Sequence, residues 1–318
     1  MRIVVLDGHA LNPGDNPWDD LAALGRLTVY DRTTADQVAQ RAAEAPIVLT
    51  NKTALGSEVL DALPDLRFVS VLATGYDVVD MAAARRRGIV VSNVPEYGTD
   101  SVAQFVFALL LELCHRVGAH DRAVHDGEWA AGPDFTLPKF PLVELAGKTM
   151  GLVGFGRIGR RVGEISHALG MEVCAFDPAA FPPPPYGPFA RASSAEEVFR
   201  RADAVSLHCA LNPSNARMVD DRLLSLMKPS AFLVNTARGG LVDEEALARA
   251  LRRGAVAGAA LDVVSAEPIR ADNPLLAAPR CILTPHIAWA SLEARRRLMR
   301  TTVENVRAFL AGTPRHTV

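Results

Sequence analysis

Thr149-Met150-Gly151-Leu152-Val153-Gly154-Phe155-Gly156-Arg157-Ile158-Gly159 is the stretch whose reading decides the fold. An apolar run meets the spacing Gly154-x-Gly156-x-x-Gly159, and the residues that follow, to Leu169, carry helical periodicity. The expected unit is strand, tight turn, helix. That order suits a dinucleotide pyrophosphate, because backbone N–H groups at a helix N-terminus face an anion and the helix dipole favours negative charge there. Gly154 closes the turn, Gly156 lets backbone approach phosphate, and Gly159 lets the helix lie close on the strand. Three glycines alone are weak evidence, since ordinary strand-to-helix connections use them too.

The following strand pattern, Glu172 to Phe176, strengthens the reading by ending in Asp177. A carboxylate at this distance accepts hydrogen bonds from ribose hydroxyls and repels a 2′-phosphate, and Pro178-Ala179-Ala180 supplies no Arg to bind one. The expected cofactor is therefore NAD(H), the bland alternative for Asp177 being a turn residue before Pro178.

Working outward, 318 residues suffice for two domains, each with its own core. A net charge of −2 with interspersed signs gives no field to gather nucleic acid or an anionic membrane. Arg85-Arg86-Arg87 and Arg295-Arg296-Arg297 read as solvated helix faces. The cysteines Cys114, Cys174, Cys209 and Cys281 show no C-x-x-C pair and no His at metal-ligand spacing, so no metal is expected and reduced thiols fit a cytoplasmic protein. Ile3–Leu6 is too short for a signal-peptide core, and the longest apolar run, Phe105 to Leu111, is far short of a membrane span.

From Met1 to about Asn93, strand patterns at Ile3–Leu6, Leu27–Tyr30, Ile47–Thr50, Phe68–Leu72 and Ile89–Val91 alternate with helical ones such as Thr34–Ala45 and Ser57–Ala62. Alternation of this kind predicts a parallel sheet covered on both faces. Two strand ends carry polar or glycine residues, Asn51-Lys52 and Thr74-Gly75-Tyr76-Asp77, where amides and a Lys can meet a carboxylate; plain surface loops are the alternative. Val94 to Gly98 reads as a crossing between domains. Asp100-Ser101 offers an N-cap for Val102 to Cys114, which is apolar nearly all round and so predicts burial within one subunit or between two, the second implying a homodimer. From His115 to Leu142 no period appears and extended loop is expected. Phe181 to Pro188, with four consecutive prolines, reads as a stiff polyproline II loop near the adenosine end of the cofactor. Strand patterns then return at Ala204–His208, Ala231–Asn235, Gly258–Asp262 and Cys281–Thr284, each after a helical stretch. The amphipathic stretch Ser291 to Ala311 is expected to pack back on the first domain.

Three of the late strand ends carry groups that a hydride transfer to a 2-oxo acid needs. Asn235 runs into Thr236-Ala237-Arg238-Gly239-Gly240, Asp262 is followed by Glu267-Pro268, and the last strand enters Pro285-His286-Ile287-Ala288-Trp289. A planar, permanently charged guanidinium suits Arg238 to holding a carboxylate and polarising the adjacent carbonyl. The alkoxide left by hydride addition must be protonated, and His286 is the candidate acid, with Glu267 favouring its imidazolium form and fixing its tautomer. Singly each residue has a structural alternative; together they make three coincidences behind one dinucleotide motif. His208 ends a strand without a carboxylate partner and reads as cofactor-loop backbone.

Glu144-Leu145-x-Gly147-Lys148-Thr149-x-Gly151 leading into the glycine motif, Asn235-Thr236-Ala237-Arg238-Gly239-Gly240-Leu241-Val242-Asp243, Asp262-x-x-x-x-Glu267-Pro268 and Thr284-Pro285-His286 together resemble the D-isomer-specific 2-hydroxyacid dehydrogenase family over essentially the whole chain. The resemblance implies an α/β protein of two domains: a Rossmann-type doubly wound parallel sheet over residues 99–288 that binds NAD, and a smaller flavodoxin-like α/β substrate domain from residues 1–98 plus 289–318. It further implies an active site in the cleft between the domains and a homodimer joined by the NAD domains. Arg238, Glu267 and His286 fall on the family's catalytic positions. Its cofactor contacts fall on Thr74, Gly154, Gly156, Arg157, Ile158, Gly159, Asp177, Cys209, Thr236, Ala237 and Asp262, and its substrate-carboxylate loop on Gly75-Tyr76, with Lys52 and Trp289 as further substrate candidates. Thr50-Asn51-Lys52, Ala73 to Asp80, Tyr97 to Gln104 and His286 to Ser291 look most like glycerate dehydrogenases, which reduce hydroxypyruvate. Cys209-Ala210-Leu211-Asn212 lacks the family's usual proline after that strand. The alternatives are a phosphoglycerate dehydrogenase, commonly extended by a C-terminal regulatory domain, a D-lactate-type enzyme, or a non-enzymatic NAD-sensing corepressor with a long disordered tail. Since the chain runs only shortly past His286, the first and last are disfavoured.

Overall fold

Strands of three to five mostly apolar residues give this protein two sheets, each parallel throughout. The computed structural model describes residues 1–318, which divide into Met1–Gly98 with Trp289–Val318 (unit 1) and Thr99–Ala288 (unit 2).

Unit 1 contains β1 (Arg2–Val5), β2 (Arg26–Val29), β3 (Ile47–Thr50), β4 (Phe68–Val71) and β5 (Val90–Ser92), ordered β2-β1-β3-β4-β5. This is the flavodoxin-like order. Alternate side chains of the central strands enter different cores: Val4, Val48 and Val69 on one face, Ile3, Ile47, Leu49 and Phe68 on the other. The second face is closed by the helix Leu292–Leu310, whose Leu298, Met299, Val303 and Val306 are buried there and whose Phe309 ring stacks on Phe68 at 4.5 Å. Ser291 caps that helix by accepting from Ala294 N at 3.2 Å.

Unit 2 contains β6 (Thr149–Val153), β7 (Glu172–Phe176), β8 (Phe189–Arg191), β9 (Ala204–Leu207), β10 (Phe232–Asn235), β11 (Gly258–Leu261) and β12 (Cys281–Leu283), ordered β12-β11-β10-β9-β6-β7-β8. Counted from β6 this is the doubly wound order 3-2-1-4-5-6 with a seventh strand added, and the winding reverses between β6 and β9. Helix Thr99–His115 and helix Arg157–Ala168 cover one face; Ala195–Arg201, Asp221–Leu224 and Glu244–Arg253 cover the other. Ligands bind open α/β sheets at such a reversal, outside the carboxyl ends of the strands.

Several expectations are corrected. Helix Thr99–His115 starts before Asp100 and Ser101, so neither caps it: Asp100 pairs with Arg161 at 2.9 Å and Ser101 Oγ donates to Ala288 O at 2.7 Å. Nor is that helix buried all round, since Gln104, Ala108 and Leu111 form an exposed stripe. The expected loop after His115 contains a helix, Val117–His125, separated from its predecessor by Arg116 in the left-handed region (φ 47°). Only Ala123 of that helix is buried, so no apolar stripe announces it. β8 follows the proline run where no strand was expected, and β12 is preceded by the short 3-10 turn Pro274–Ala277 rather than a helix. The arginine run at 295–297 is not simply solvated: Arg295 is 7% exposed, with its guanidinium on Asp15, Leu11 O and Ala290 O. Cys114 and Cys174 are buried, whereas Cys209 and Cys281 are half-buried; all four are free thiols. No single helix is long and apolar enough to cross a membrane.

Candidate active site

The glycine turn sits at the point of reversal and explains its own residues. Gly154 adopts φ 95°, and a Cβ there would stand 2.5 Å from Cys209 N and 2.6 Å from His208 C, so the ends of β6 and β9 meet through a residue without a side chain. A Cβ on Gly159 would stand 2.2 Å from Gly154 O, which is the close helix-to-strand approach. Gly156 behaves oppositely: it is exposed, it precedes helix Arg157–Ala168, and a Cβ on it would meet nothing within 4 Å. Gly156 therefore leaves open space beside a helix start, where backbone amides and the helix dipole favour an anion. Arg157 is exposed and Ile158 half-buried in the first turn.

Asp177, at the end of β7, accepts from Phe155 N at 2.8 Å through Oδ2 and from Ala179 N at 2.9 Å through Oδ1. Each oxygen keeps a lone pair for a further donor. The proline loop turns back on the fold rather than standing off it: Phe181 packs on Phe155 (4.8 Å between ring centroids) and Tyr186 stacks on His167 (5.1 Å). Burial pushes the Tyr186 hydroxyl up to about 12. His208 bonds Ser206 Oγ through Nε2 at 2.9 Å, and burial pushes its imidazole down to about 3, so it stays neutral at physiological pH. The Cys209 thiol is likewise raised by burial, with the nearby Asp177 charge acting in the same direction.

β10, β11 and β12 are neighbouring parallel strands, so the loops leaving their carboxyl ends share one edge. After β10, buried Asn235 shapes the turn by accepting from Ala237 N at 3.0 Å and donating to Arg238 O at 3.0 Å. Arg238 is half-buried, with Nη1 donating to Ala237 O at 2.8 Å. Thr236 Oγ1 is buried with no protein partner, an orphan that a bound ligand can satisfy. After β11, Asp262 is 1% exposed and accepts from Thr284 Oγ1 (2.6 Å), Ile287 N (2.9 Å) and Ala288 N (2.8 Å), while its own carbonyl accepts from His286 N (2.8 Å). This network holds His286 at φ 56°, a left-handed conformation unfavourable for a residue with a Cβ. His286 Nδ1 lies 2.6 Å from Glu267 Oε2, the two side chains 26% and 35% exposed. A carboxylate only accepts, so Nδ1 carries hydrogen and Nε2 remains as the second ring nitrogen. The structure thus brings Glu267 and His286 into contact and sets Arg238 on the same edge.

In unit 1, Asp7 at the end of β1 accepts from Asn51 N (2.7 Å), Lys52 N (2.6 Å) and Thr53 N (2.8 Å), fixing the loop after β3 and leaving the Lys52 side chain exposed. Thr74 Oγ1 donates to Val94 O at 2.9 Å, so its hydroxyl is already engaged. Gly75 is half-buried and Tyr76 is 40% exposed. Trp289 is half-buried edge-to-face on Tyr97, with ring centroids 6.1 Å apart. Residues missed from sequence are those that organise loops: Asp7, Asn235 and, after β11, Glu244 and Asn273. Two of them carried a signal, Asp7 just past an apolar strand and Asn235 at the end of one.

The family model described as D-isomer specific 2-hydroxyacid dehydrogenase, NAD binding domain, matches residues 107–288. A hydroxypyruvate reductase of Blautia hydrogenotrophica is 49% identical over 317 residues, 99% of this chain and 98% of the relative. A glycerate dehydrogenase of Methylorubrum extorquens is 39% identical, covering 91% and 90%. Among solved structures, an NADPH-dependent glyoxylate/hydroxypyruvate reductase from Sinorhizobium meliloti superposes with TM-score 0.82 at 29% identity, covering 100% of this chain and 97% of that one.

Proposed function

Because this chain belongs to the D-isomer-specific 2-hydroxyacid dehydrogenase family, we propose that it reduces a small 2-oxo acid, hydroxypyruvate or glyoxylate, to the D-2-hydroxy acid with NADH. The observation that carries the reading is the 2.6 Å His286–Glu267 pair on the sheet edge that also bears Arg238. The residues present fit a nicotinamide dinucleotide: the open space at Gly156, the Asp177 carboxylate and the orphaned Thr236 hydroxyl are what its pyrophosphate, ribose and polar groups require. When bound, the cofactor supplies hydride to the C2 carbonyl. Arg238 holds the substrate carboxylate and polarises the adjacent carbonyl. His286 delivers a proton from Nε2 to the developing alkoxide, and Glu267 holds Nδ1–H so that the ring keeps this tautomer and stabilises its charged form.

The NAD(H) preference rests on Asp177 and on Pro178-Ala179-Ala180, which offer a 2′-phosphate repulsion and no cation. A homodimer is part of the same reading, supported by exposed Val117 (63%), Val124 (47%), Phe135 (89%) and Leu142 (58%) within one stretch of unit 2. Light scattering that returned a monomer mass would remove that part. A cytoplasmic setting agrees with the four free thiols. The test of the activity is NADH oxidation against hydroxypyruvate, glyoxylate, pyruvate, phenylpyruvate and 2-oxoglutarate, with NADPH in parallel. Highest turnover on hydroxypyruvate or glyoxylate with NADH supports the reading; bound NADH without turnover of any acid moves the weight to a cofactor-sensing binding protein.

A further inference from the structure

We infer that Glu244 is a positioning residue for the proton-donating pair, acting through the loop that carries Glu267; the inference rests on the function proposed above. Glu244 opens the helix Glu244–Arg253, yet it is not the cap, because Asp243 already accepts from Ala246 N at 3.1 Å. Its carboxylate turns instead onto the loop after β11. Oε1 accepts from Ser265 N at 2.6 Å, and Oε2 accepts from Ser265 Oγ at 2.9 Å and from Asn273 Nδ2 at 2.9 Å. Bonds to a charged acceptor are the stronger kind. Asn273, 9% exposed, is fixed in turn by accepting from Leu275 N at 3.0 Å, so Glu244 grips the segment on both sides of Glu267.

The gripped loop is itself closed, since Val264 N donates to Glu267 Oε1 at 3.3 Å while Oε2 of the same carboxylate holds His286. The short Glu267–His286 contact therefore has two anchors. Asp262 fixes the histidine end through the turn at residues 284–288, and Glu244 fixes the glutamate end through Ser265. Removing the second anchor loosens the loop that holds Glu267 against Nδ1.

Glu244→Ala tests this, with Glu245→Gln as the control for loss of the other acid in that helix turn and Glu244→Gln as the conservative variant. The expected result is kcat lowered about tenfold in Glu244→Ala with the NADH dissociation constant within about twofold of the parent. Glu244→Gln, whose amide can still accept from Ser265 N and donate to Ser265 Oγ, recovers kcat to within about threefold, and Glu245→Gln leaves it unchanged. In a Glu267→Gln background, Glu244→Ala costs less than about twofold more, because the anchor has nothing left to position. Additive losses in the double variant, or an effect no larger than that of Glu245→Gln, overturn the inference. Hydrogen exchange gives a readout independent of turnover: amides of 264–267 lose protection in Glu244→Ala and keep it in Glu245→Gln. If the parent reduces none of the acids, the proposed function falls, and the exchange result alone decides whether the clamp stands.

Discussion

Replacing Gly239 by Ala should separate the loops that carry Arg238 and Glu267 without disturbing the rest of the fold. A Cβ on Gly239 stands 1.9 Å from Val264 C, 2.0 Å from Val264 O and 2.5 Å from Ser265 N, all of them backbone atoms that cannot swing aside. Carbon atoms in contact sit about 3.5 Å apart, so the loop bearing Arg238 and the loop bearing Glu267 must part by roughly 1.5 Å. Gly239 does not have a left-handed φ, so the added methyl acts by contact alone. Overpacking of this kind costs about 1–3 kcal/mol, a Tm loss of several degrees for a unit of this size. Misplacement by about 1 Å costs on the order of a hundredfold in rate, so kcat should fall by at least that much. The assay is NADH oxidation with the preferred 2-oxo acid, alongside thermal unfolding and NADH titration by fluorescence. Gly56→Ala is the control, since a Cβ there meets nothing within 4 Å. A Gly239→Ala protein with parental kcat and Tm would refute the claim that these loops touch at this point.

His286→Ala should lower kcat by about 10²–10⁴-fold while leaving NADH affinity intact, and unchanged turnover would end its assignment as proton donor. Asp177→Ser should shift the ratio of kcat/KM for NADH over NADPH toward NADPH; an unchanged ratio would mean that the carboxylate serves only Phe155 N and Ala179 N. His208, pushed down to about 3 by burial from an ordinary 6.5, is neutral in the folded protein while the unfolded chain protonates it. Its contribution is therefore present above pH 6.5 and lost as pH falls toward 3, so any Tm advantage of the parent over His208→Asn should shrink across that window. A gap independent of pH would contradict the buried neutral state.

Sequence carried the parts of this fold that repeat or that obey spacing. Alternating strand and helix patterns gave both parallel sheets, and Gly154, Gly156 and Gly159 stood where the winding reverses. Strand ends nominated Arg238, Glu267 and His286 because chemistry restricts which side chains can serve there. Contacts between distant residues were not legible. Arg295 looked like one of three solvated arginines because its partner Asp15 lies 280 positions away. Glu244 drew no assignment because its partners Ser265 and Asn273 are 21 and 29 positions away, in a loop without periodicity. The helix Val117–His125 escaped notice because its valines face outward, so the usual inward stripe was missing.

The return of the chain to unit 1 has a consequence for synthesis. β1 to β5 are made first, but the face lined by Ile47, Leu49 and Phe68 is completed by residues of the helix Leu292–Leu310. About 190 residues, Thr99–Ala288, must be translated in between. At roughly 5–20 residues per second that interval lasts on the order of ten to forty seconds. Throughout it the nascent amino-terminal sheet carries an uncovered apolar surface on the ribosome, while unit 2, whose residues are contiguous, can fold as it emerges. Slow codons late in the message would prolong the interval in which a holdase finds a binding site on this chain.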